Sequence, residues 1–185
     1  MKLRKPSPLP KKGTIGIVAP ASPQRDNSRL ERGVRYLEQL GYQVRLGDNV
    51  HQVHGGYLAG TDEERAADIN SMFTDNNIDA IFCSRGGYGS ARLLHLIDYA
   101  AVRKNPKVFV GFSDITALQN ALLTKSGLVT FSGALPSVDM ADTIDAETEE
   151  WFWRAITSTA PLGSLPTKHK LTLSPQGRRT DQRER

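Results

Sequence analysis

The stretch VFVGFSDITALQNAL, Val108 to Leu122, runs from a buried-type strand through Gly111 and Phe112 into a lone serine, and then into a helix opened by Asp114. A β-branched and aromatic run followed at once by a helical pattern reads as one strand–helix unit. The serine at its junction admits two readings. In a nucleophile elbow, a tight strand–turn–helix turn lifts the hydroxyl clear of the sheet, and the next amide, here that of Asp114, faces a developing oxyanion. The helix N-terminus adds partial positive charge at the same place. In the other reading, Ser113 or Asp114 simply caps the helix. Gly111 fits one small position of G-x-S-x-G but Ile115 fills the second, so this is not the α/β-hydrolase pattern.

The same alternation extends along the chain in both directions. TIGIVAP (Thr14–Pro20) reads as a strand, and DNSRLERGVRYLEQLG as a helix with Leu30, Val34, Leu37 and Leu40 on one stripe. YQVRL is a second strand, and TDEERAADINSMF a helix whose Thr61 and Glu64 have capping-box spacing. Its apolar face is Ala66, Ile69, Met72 and Phe73. IDAIFCS (Ile78–Ser84) is a third strand, followed by RGGYGS and a helix in ARLLHLIDYA. KVFVGF is the fourth strand, followed by a helix from Asp114 to Lys125; LVTFSG is the fifth, and a last helix covers Ala146 to Thr157. Trp151 and Trp153 lie two apart on that helix, so one is expected in the core and the other over a surface that meets a partner. Strands alternating with helices over short connections imply an α/β fold, a Rossmann-like parallel sheet with helices on both faces. Sites in such sheets gather beyond the carboxyl ends of the strands. The loops Arg85–Ser90 and Gly111–Asp114 follow consecutive strands and are expected side by side.

Consecutive glycines in SRGGYGSAR let the backbone turn sharply and present N–H groups to an anion, or make a tight turn that Ser90 ends as a helix cap. The run is neither G-x-G-x-x-G nor G-x-x-x-x-G-K-[ST], which argues against a dinucleotide or a P-loop phosphate. His51 and His54 are spaced H-x-x-H without a helical pattern or a third ligand, so a solvated loop is favoured over zinc. His95 reads as a helix-face residue and His169 lies in the C-terminal segment; none is placed to activate Ser113.

Charge divides by region. Residues 1–12 hold five basic residues and no acid, and residues 161–185 hold six against two acids, leaving 13 basic against 18 acidic residues in 13–160. The expected organisation is a basic lead over 1–12, an α/β nucleophile domain over 13–160, and a basic, disordered tail over 161–185, where Pro161, Pro166 and Pro175 interrupt any helix. A mildly acidic body offers no clustered basic face for nucleic acid. No apolar run approaches the roughly 18 residues of a membrane span. The single cysteine, Cys83, fits a reducing cytoplasm, and the N-terminus lacks the apolar region of a secretory signal.

GTIGIVAPASP, YLAGTDEERAADINSMFTDNNIDAIFCSRGGYGSARLL, PKVFVGFSDITALQNAL and GLVTFSGALPS, taken together over about residues 13–160, resemble the LD-carboxypeptidase family of serine peptidases, which includes microcin C immunity proteins. The resemblance implies Ser113 as nucleophile, with oxyanion donors from the Asp114 N–H and from the Gly86–Gly87 turn. It implies release of the terminal D-alanine from murein tetrapeptide in cytoplasmic cell-wall recycling, with a muropeptide as substrate, no metal or cofactor, and pairing as homodimers. Arg85 stands either to meet a substrate carboxylate or to form a structural salt bridge. The family is two-domain and draws its catalytic Glu and His from the second domain, a pattern this sequence loses near Leu162. A truncated chain with little activity alone is therefore expected. The alternatives are a microcin-immunity-type hydrolase of aminoacyl nucleotides, or a non-catalytic binding module.

Overall fold

Ala80–Cys83 (β3) and Val108–Gly111 (β4) are buried at every position, as strands covered on both faces must be. In the computed structural model, which describes residues 2–164, they lie beside each other in a five-stranded sheet. Thr14–Val18 (β1), Gln43–Leu46 (β2) and Phe131–Ser132 (β5) complete it in the order β2-β1-β3-β4-β5, with every pairing parallel. The winding reverses after β2, so the chain returns across β1 to lay down β3. A crevice opens at such a reversal, beyond the carboxyl ends of the two strands.

Alternating side chains feed two cores. Asn27–Gln39 (α1) and Ala146–Thr157 (α5) cover one face, packing Leu30, Leu37, Phe152 and Ile156 with Ile15, Ile17, Phe82 and Val110. Asp62–Thr74 (α2), Tyr99–Lys104 (α3) and Thr116–Ser126 (α4) cover the other, where Ile69, Phe73, Val102, Leu118 and Leu122 meet Ile81, Cys83 and Phe109. The Thr61–Glu64 capping box forms at the start of α2. Helix α1 approaches the loop after β5 so closely that a Cβ on Gly33 would lie 2.0 Å from the Pro136 carbonyl oxygen.

Three elements depart from the sequence pattern. ARLLHLIDYA does not form one helix: a 3-10 turn covers Ser90–Leu93, and α3 starts only after Asp98. The Asp98 carboxylate accepts from Ala100 and Ala101 N–H, and Asn70 accepts from Asp98 N–H while donating to Leu96 O, so local side-chain bonds outcompete a continuous helix. The fifth strand is shorter than LVTFSG because Leu128 bridges to Arg4 instead, with Arg4 N–H on Gly127 O at 2.8 Å and Val129 N–H on Arg4 O at 2.9 Å. On α5 both tryptophans are half-buried and Phe152 between them is the core residue. Trp153 stacks on Tyr42 at 5.2 Å and donates to Tyr36 Oη at 2.9 Å, whereas Trp151 carries Arg154 over its ring. The expected disorder of the basic tail lies outside the described residues from residue 165 onward.

Candidate active site

β4 ends in a turn that only a glycine permits. A Cβ on Gly111 would lie 2.4 Å from Ile115 Cγ2, so the small residue two before the serine makes room for the branched residue two after it. The bulk at the second position of the elbow pattern is thereby accommodated from the other side. Ser113 sits at φ 61°, a left-handed conformation that costs a non-glycine residue about 1–2 kcal/mol. Its side chain is exposed. Neither the 3-10 turn Ser113–Ile115 nor α4 has a side-chain cap, and no described residue is hydrogen-bonded to Ser113 Oγ. The capping reading of Ser113 and Asp114 therefore fails. The strain has no local structural return, which is the usual mark of a conformation held for function.

Asp114 turns its carboxylate sideways. Oδ2 accepts from Ser90 N–H at 2.9 Å and the Asp114 carbonyl accepts from Ser90 Oγ at 2.5 Å, tying the glycine-rich turn to the elbow. Ser90 is thus a clamp between loops, not the side-chain cap that its position suggested. The two loops stand side by side as their sequence positions implied. A Cβ on Gly86 would lie 3.1 Å from Phe112 O, 3.2 Å from Ser113 Cβ and 3.6 Å from Asp114 N, so Gly86 backbone faces the serine directly. Gly87, at φ 125°, presses on Ser22, where a Cβ would lie 2.3 Å from Oγ; that hydroxyl accepts from Tyr88 N–H at 3.1 Å.

Arg85 begins this turn. Nη1 donates to Pro23 O at 3.3 Å, and no described carboxylate pairs with it, so the salt-bridge reading fails. Burial, then the like charges of Arg25 and Arg29, pull its pKa below the usual guanidinium value. A buried arginine that sequence reading passed over holds the far side of the turn. Arg65 is 1% exposed and donates from Nη1 to Pro20 O at 2.6 Å and Gly89 O at 3.1 Å, from Nε to Gly60 and Thr61 carbonyls, and to the Asp62 carboxylate. Its signal was there: Arg65 occupies the stripe shared with Ile69 and Met72, where an apolar residue is expected.

An exposed serine at φ 61° thus stands at the end of a parallel strand with a glycine backbone against it. Residues 15–133 match the LD-carboxypeptidase N-terminal domain. The chain belongs to the LD-carboxypeptidase family. It is 46% identical over 136 residues, 74% of its length, to the probable murein peptide carboxypeptidase of Bacillus subtilis, covering 42% of that protein. Among solved structures it superimposes on the microcin C7 self-immunity protein MccF, in its wild-type apo state, with a TM-score of 0.80 at 31% identity, covering 84% of this chain and 48% of that one. The muramoyltetrapeptide carboxypeptidase of Oxalobacter formigenes gives 0.69 at 35% identity over 78% and 48%. The chain spans less than half the length of these LD-carboxypeptidase relatives. The family is one of hydrolases, and its α/β sheet is the one seen here.

None of the described histidines approaches the serine by hydrogen bond. His51 Nδ1 lies 3.4 Å from Asn27 Oδ1, and His54 belongs to a short bridge with Leu58. His95 is exposed, and His169 lies outside the described residues. No group of three His, Cys, Asp or Glu side chains is placed to hold a metal ion among the described residues. Cys83 is fully buried in β3, which pushes its thiol pKa up, away from reactivity. Among the described residues no helix is long and apolar enough to cross a membrane.

Proposed function

We propose that this chain supplies the nucleophile domain of a cytoplasmic LD-carboxypeptidase that releases the terminal D-alanine of a murein tetrapeptide. One observation carries the reading: Ser113 is held exposed at φ 61° with the Gly86 backbone against it, at a structural cost that no cap repays. Ser113 Oγ attacks the carbonyl of the L–D bond. The Asp114 N–H and the Gly86–Gly87 turn receive the oxyanion, the D-amino acid leaves as its amine, and water hydrolyses the acyl-serine. A serine hydroxyl needs a base to attack at neutral pH, and among the described residues none is hydrogen-bonded to it. The base and its orienting partner come from outside residues 2–164, in keeping with the greater length of the relatives. The chain alone then has little turnover, since loss of a triad member typically costs about 10⁴-fold or more.

The test joins residues 1–160 to the C-terminal part of the Bacillus subtilis relative and measures D-alanine release from L-Ala-γ-D-Glu-meso-diaminopimelate-D-Ala. Release by the fusion that Ser113→Ala abolishes is expected, with little or none from the 185-residue chain alone. Release that survives Ser113→Ala would refute the assignment. The similarity to the microcin C7 self-immunity protein supports a second reading, hydrolysis of an aminoacyl nucleotide. The same fusion assayed on an aminoacyl sulfamoyl adenosine separates the two.

A further inference from the structure

Two cavities meet at the β5 edge of the sheet, beside the elbow. The first, about 350 Å³, is lined by Phe112, the residue before Ser113, and by Ser132, Asp139 and Asp145 among others. The second, about 460 Å³, lies between β5 and α5 and reaches Trp151. They share Ser132, Gly133, Ala134, Asp145 and Thr148, so they form one cleft. Each has the size of a small-molecule site, about 300–1,000 Å³. Ser132 pairs with Gly111, so the cleft opens one strand spacing, about 4.8 Å, from the strand that carries Ser113. Phe112, 59% exposed, belongs to both, adjoining the nucleophile and lining the cleft. The Gly86–Gly87 turn follows β3, on the opposite side of β4, so the oxyanion donors leave the cleft side of the serine open to the rest of a substrate.

Charge selects what the cleft can hold. Asp139, Asp145 and Glu147 line it, and no Lys, Arg or His does. Asp139 Oδ2 accepts from Leu135 N–H at 2.9 Å, and Asp145 Oδ2 accepts from Glu147 and Thr148 N–H at 3.1 Å, so backbone amides fix both carboxylates in place. The N-terminus of α5 contributes about half a positive charge, which does not balance three carboxylates. A carboxylate or phosphate is repelled there, which excludes the free carboxyl end of a leaving D-amino acid. An ammonium on an apolar stem is matched twice, by the Phe112 ring and by the carboxylates.

We propose that this cleft receives the side-chain ammonium of the residue whose carbonyl Ser113 attacks, a diamino acid of the lysine or diaminopimelate type. Its methylenes lie on Phe112 and its ammonium faces Asp139 and Asp145. Five bonds separate the Cα of either residue from the terminal nitrogen, an extended reach of about 6 Å, which exceeds the strand spacing to be crossed. The assignment of the cation to a peptide substrate rests on the proposed function; the cation site itself rests on the cleft, its place beside the elbow and its charge.

The test titrates the ¹⁵N-labelled 185-residue chain with three tetrapeptides that differ only at the third residue: meso-diaminopimelate, L-lysine and Nε-acetyl-L-lysine. Expected are saturable shifts of the Gly133, Ala134 and Thr148 amides with the first two. The lysine peptide should bind about tenfold more tightly than its acetylated form, and at least as tightly as the diaminopimelate peptide, whose extra carboxylate meets the same acids. Asp139→Asn, whose amide oxygen can still accept from Leu135 N–H, should weaken the lysine peptide about threefold to fivefold and the acetylated one less. The preference for lysine over acetyl-lysine should shrink as salt is raised. Equal affinity for those two peptides, a result that needs no variant to fold, overturns the proposal. So do cleft amides unmoved by the lysine peptide; shifts confined to Gly86, Gly87 and Asp114 would then leave the proposed function standing. Equal D-alanine release from both peptides by the fusion to the Bacillus subtilis C-terminal part removes the cleft from the reaction without touching Ser113. Cleft shifts with the lysine preference, but no release by that fusion, uphold the cation site and overturn the murein reaction.

Discussion

Arg65→Met removes a charge that is 1% exposed and leaves an unbranched side chain in its place. The guanidinium now serves Pro20 O at 2.6 Å, Gly89 O at 3.1 Å, Gly60 O at 3.2 Å and Thr61 O at 3.3 Å, besides Asp62. A methionine side chain donates to none of them; Thr61 O keeps the amide of residue 65 and Gly89 O keeps Arg92 N–H, so Pro20 O and Gly60 O are the carbonyls that lose their donor. A buried acceptor left without a donor costs about 1–3 kcal/mol. Against that, the charge was expensive to bury, as the lowering of its pKa by burial indicates, and the substitution recovers part of the desolvation. Asp62 is left paired with Arg92, so the loss falls on the stranded carbonyls and nets about 3–5 kcal/mol of destabilisation. At about 2–4 °C per kcal/mol for a chain of this size, the melting temperature should fall roughly 6–20 °C. Guanidinium chloride unfolding followed by tryptophan fluorescence reads the effect as a lower midpoint at unchanged slope. Arg65→Lys should fall between, because one ammonium reaches fewer carbonyls than the planar fork. Faster amide exchange confined to Gly87–Ser90 should accompany the loss, since Gly89 O is the anchor of that turn. A loss below about 1 kcal/mol would mean that water satisfies those carbonyls, and would refute the organising role given to Arg65.

Ser113→Gly should raise stability by about 0.5–1 kcal/mol over Ser113→Ala, because glycine relieves φ 61° at some cost in unfolded-chain entropy; equal or lower stability in urea unfolding would show that the elbow is unstrained. Gly33→Ala sets helix propensity, about 1 kcal/mol in favour of alanine, against a Cβ 2.0 Å from Pro136 O. The clash should win, with a net loss of about 1–3 kcal/mol and a lower melting temperature, and a gain would mean that the loop after β5 yields freely. The Asp62 carboxyl is held below 3.8, first by the hydrogen bond from Arg92 and then by the charges of Arg92 and Arg65. Between that lowered value and 3.8 the unfolded chain binds more protons, so the contribution is full above 3.8 and is lost as pH falls through the folded value. Asp62→Asn should flatten the acid limb of stability measured by urea unfolding from pH 6 to pH 2, and parallel limbs would remove Asp62 as its source.

The parallel sheet was legible because strands covered on both faces must be continuously apolar, and IDAIFCS and VFVG are. Helix α2 announced itself through Thr61 and Glu64, whose bonds are local and need no tertiary context. What failed depended on distant partners. The helix read through Leu93–Asp98 is broken by Asn70, more than twenty residues away, and β5 is shortened by Arg4 at the other end of the chain. At the site, the proximity of the Gly86 turn and Ser113 followed from consecutive parallel strands. Whether Ser113 capped its helix could not be read, because a cap and an elbow differ in φ and not in residue type. Arg65 shows in the sequence only as a charge on an apolar stripe, because the backbone carbonyls it serves carry no sequence signature.

Leu9 N–H donates to Ile156 O at 2.8 Å, and Arg4 lies along Leu128, so the first residues of the chain are pinned by some of the last ones described. The sheet's centre has the opposite character: β1, β2 and β3 are all complete by Cys83. A ribosome releasing this chain from its N-terminus therefore delivers a middle that can assemble early and an edge that must wait. Arg4 can pair once Leu128 is out, but until α5 emerges Leu9 lacks the Ile156 carbonyl that holds it and the face of β4 and β5 that α5 covers stays open to other chains. Slowing translation before residue 146 should prolong that exposed interval, and chaperone capture should rise with it.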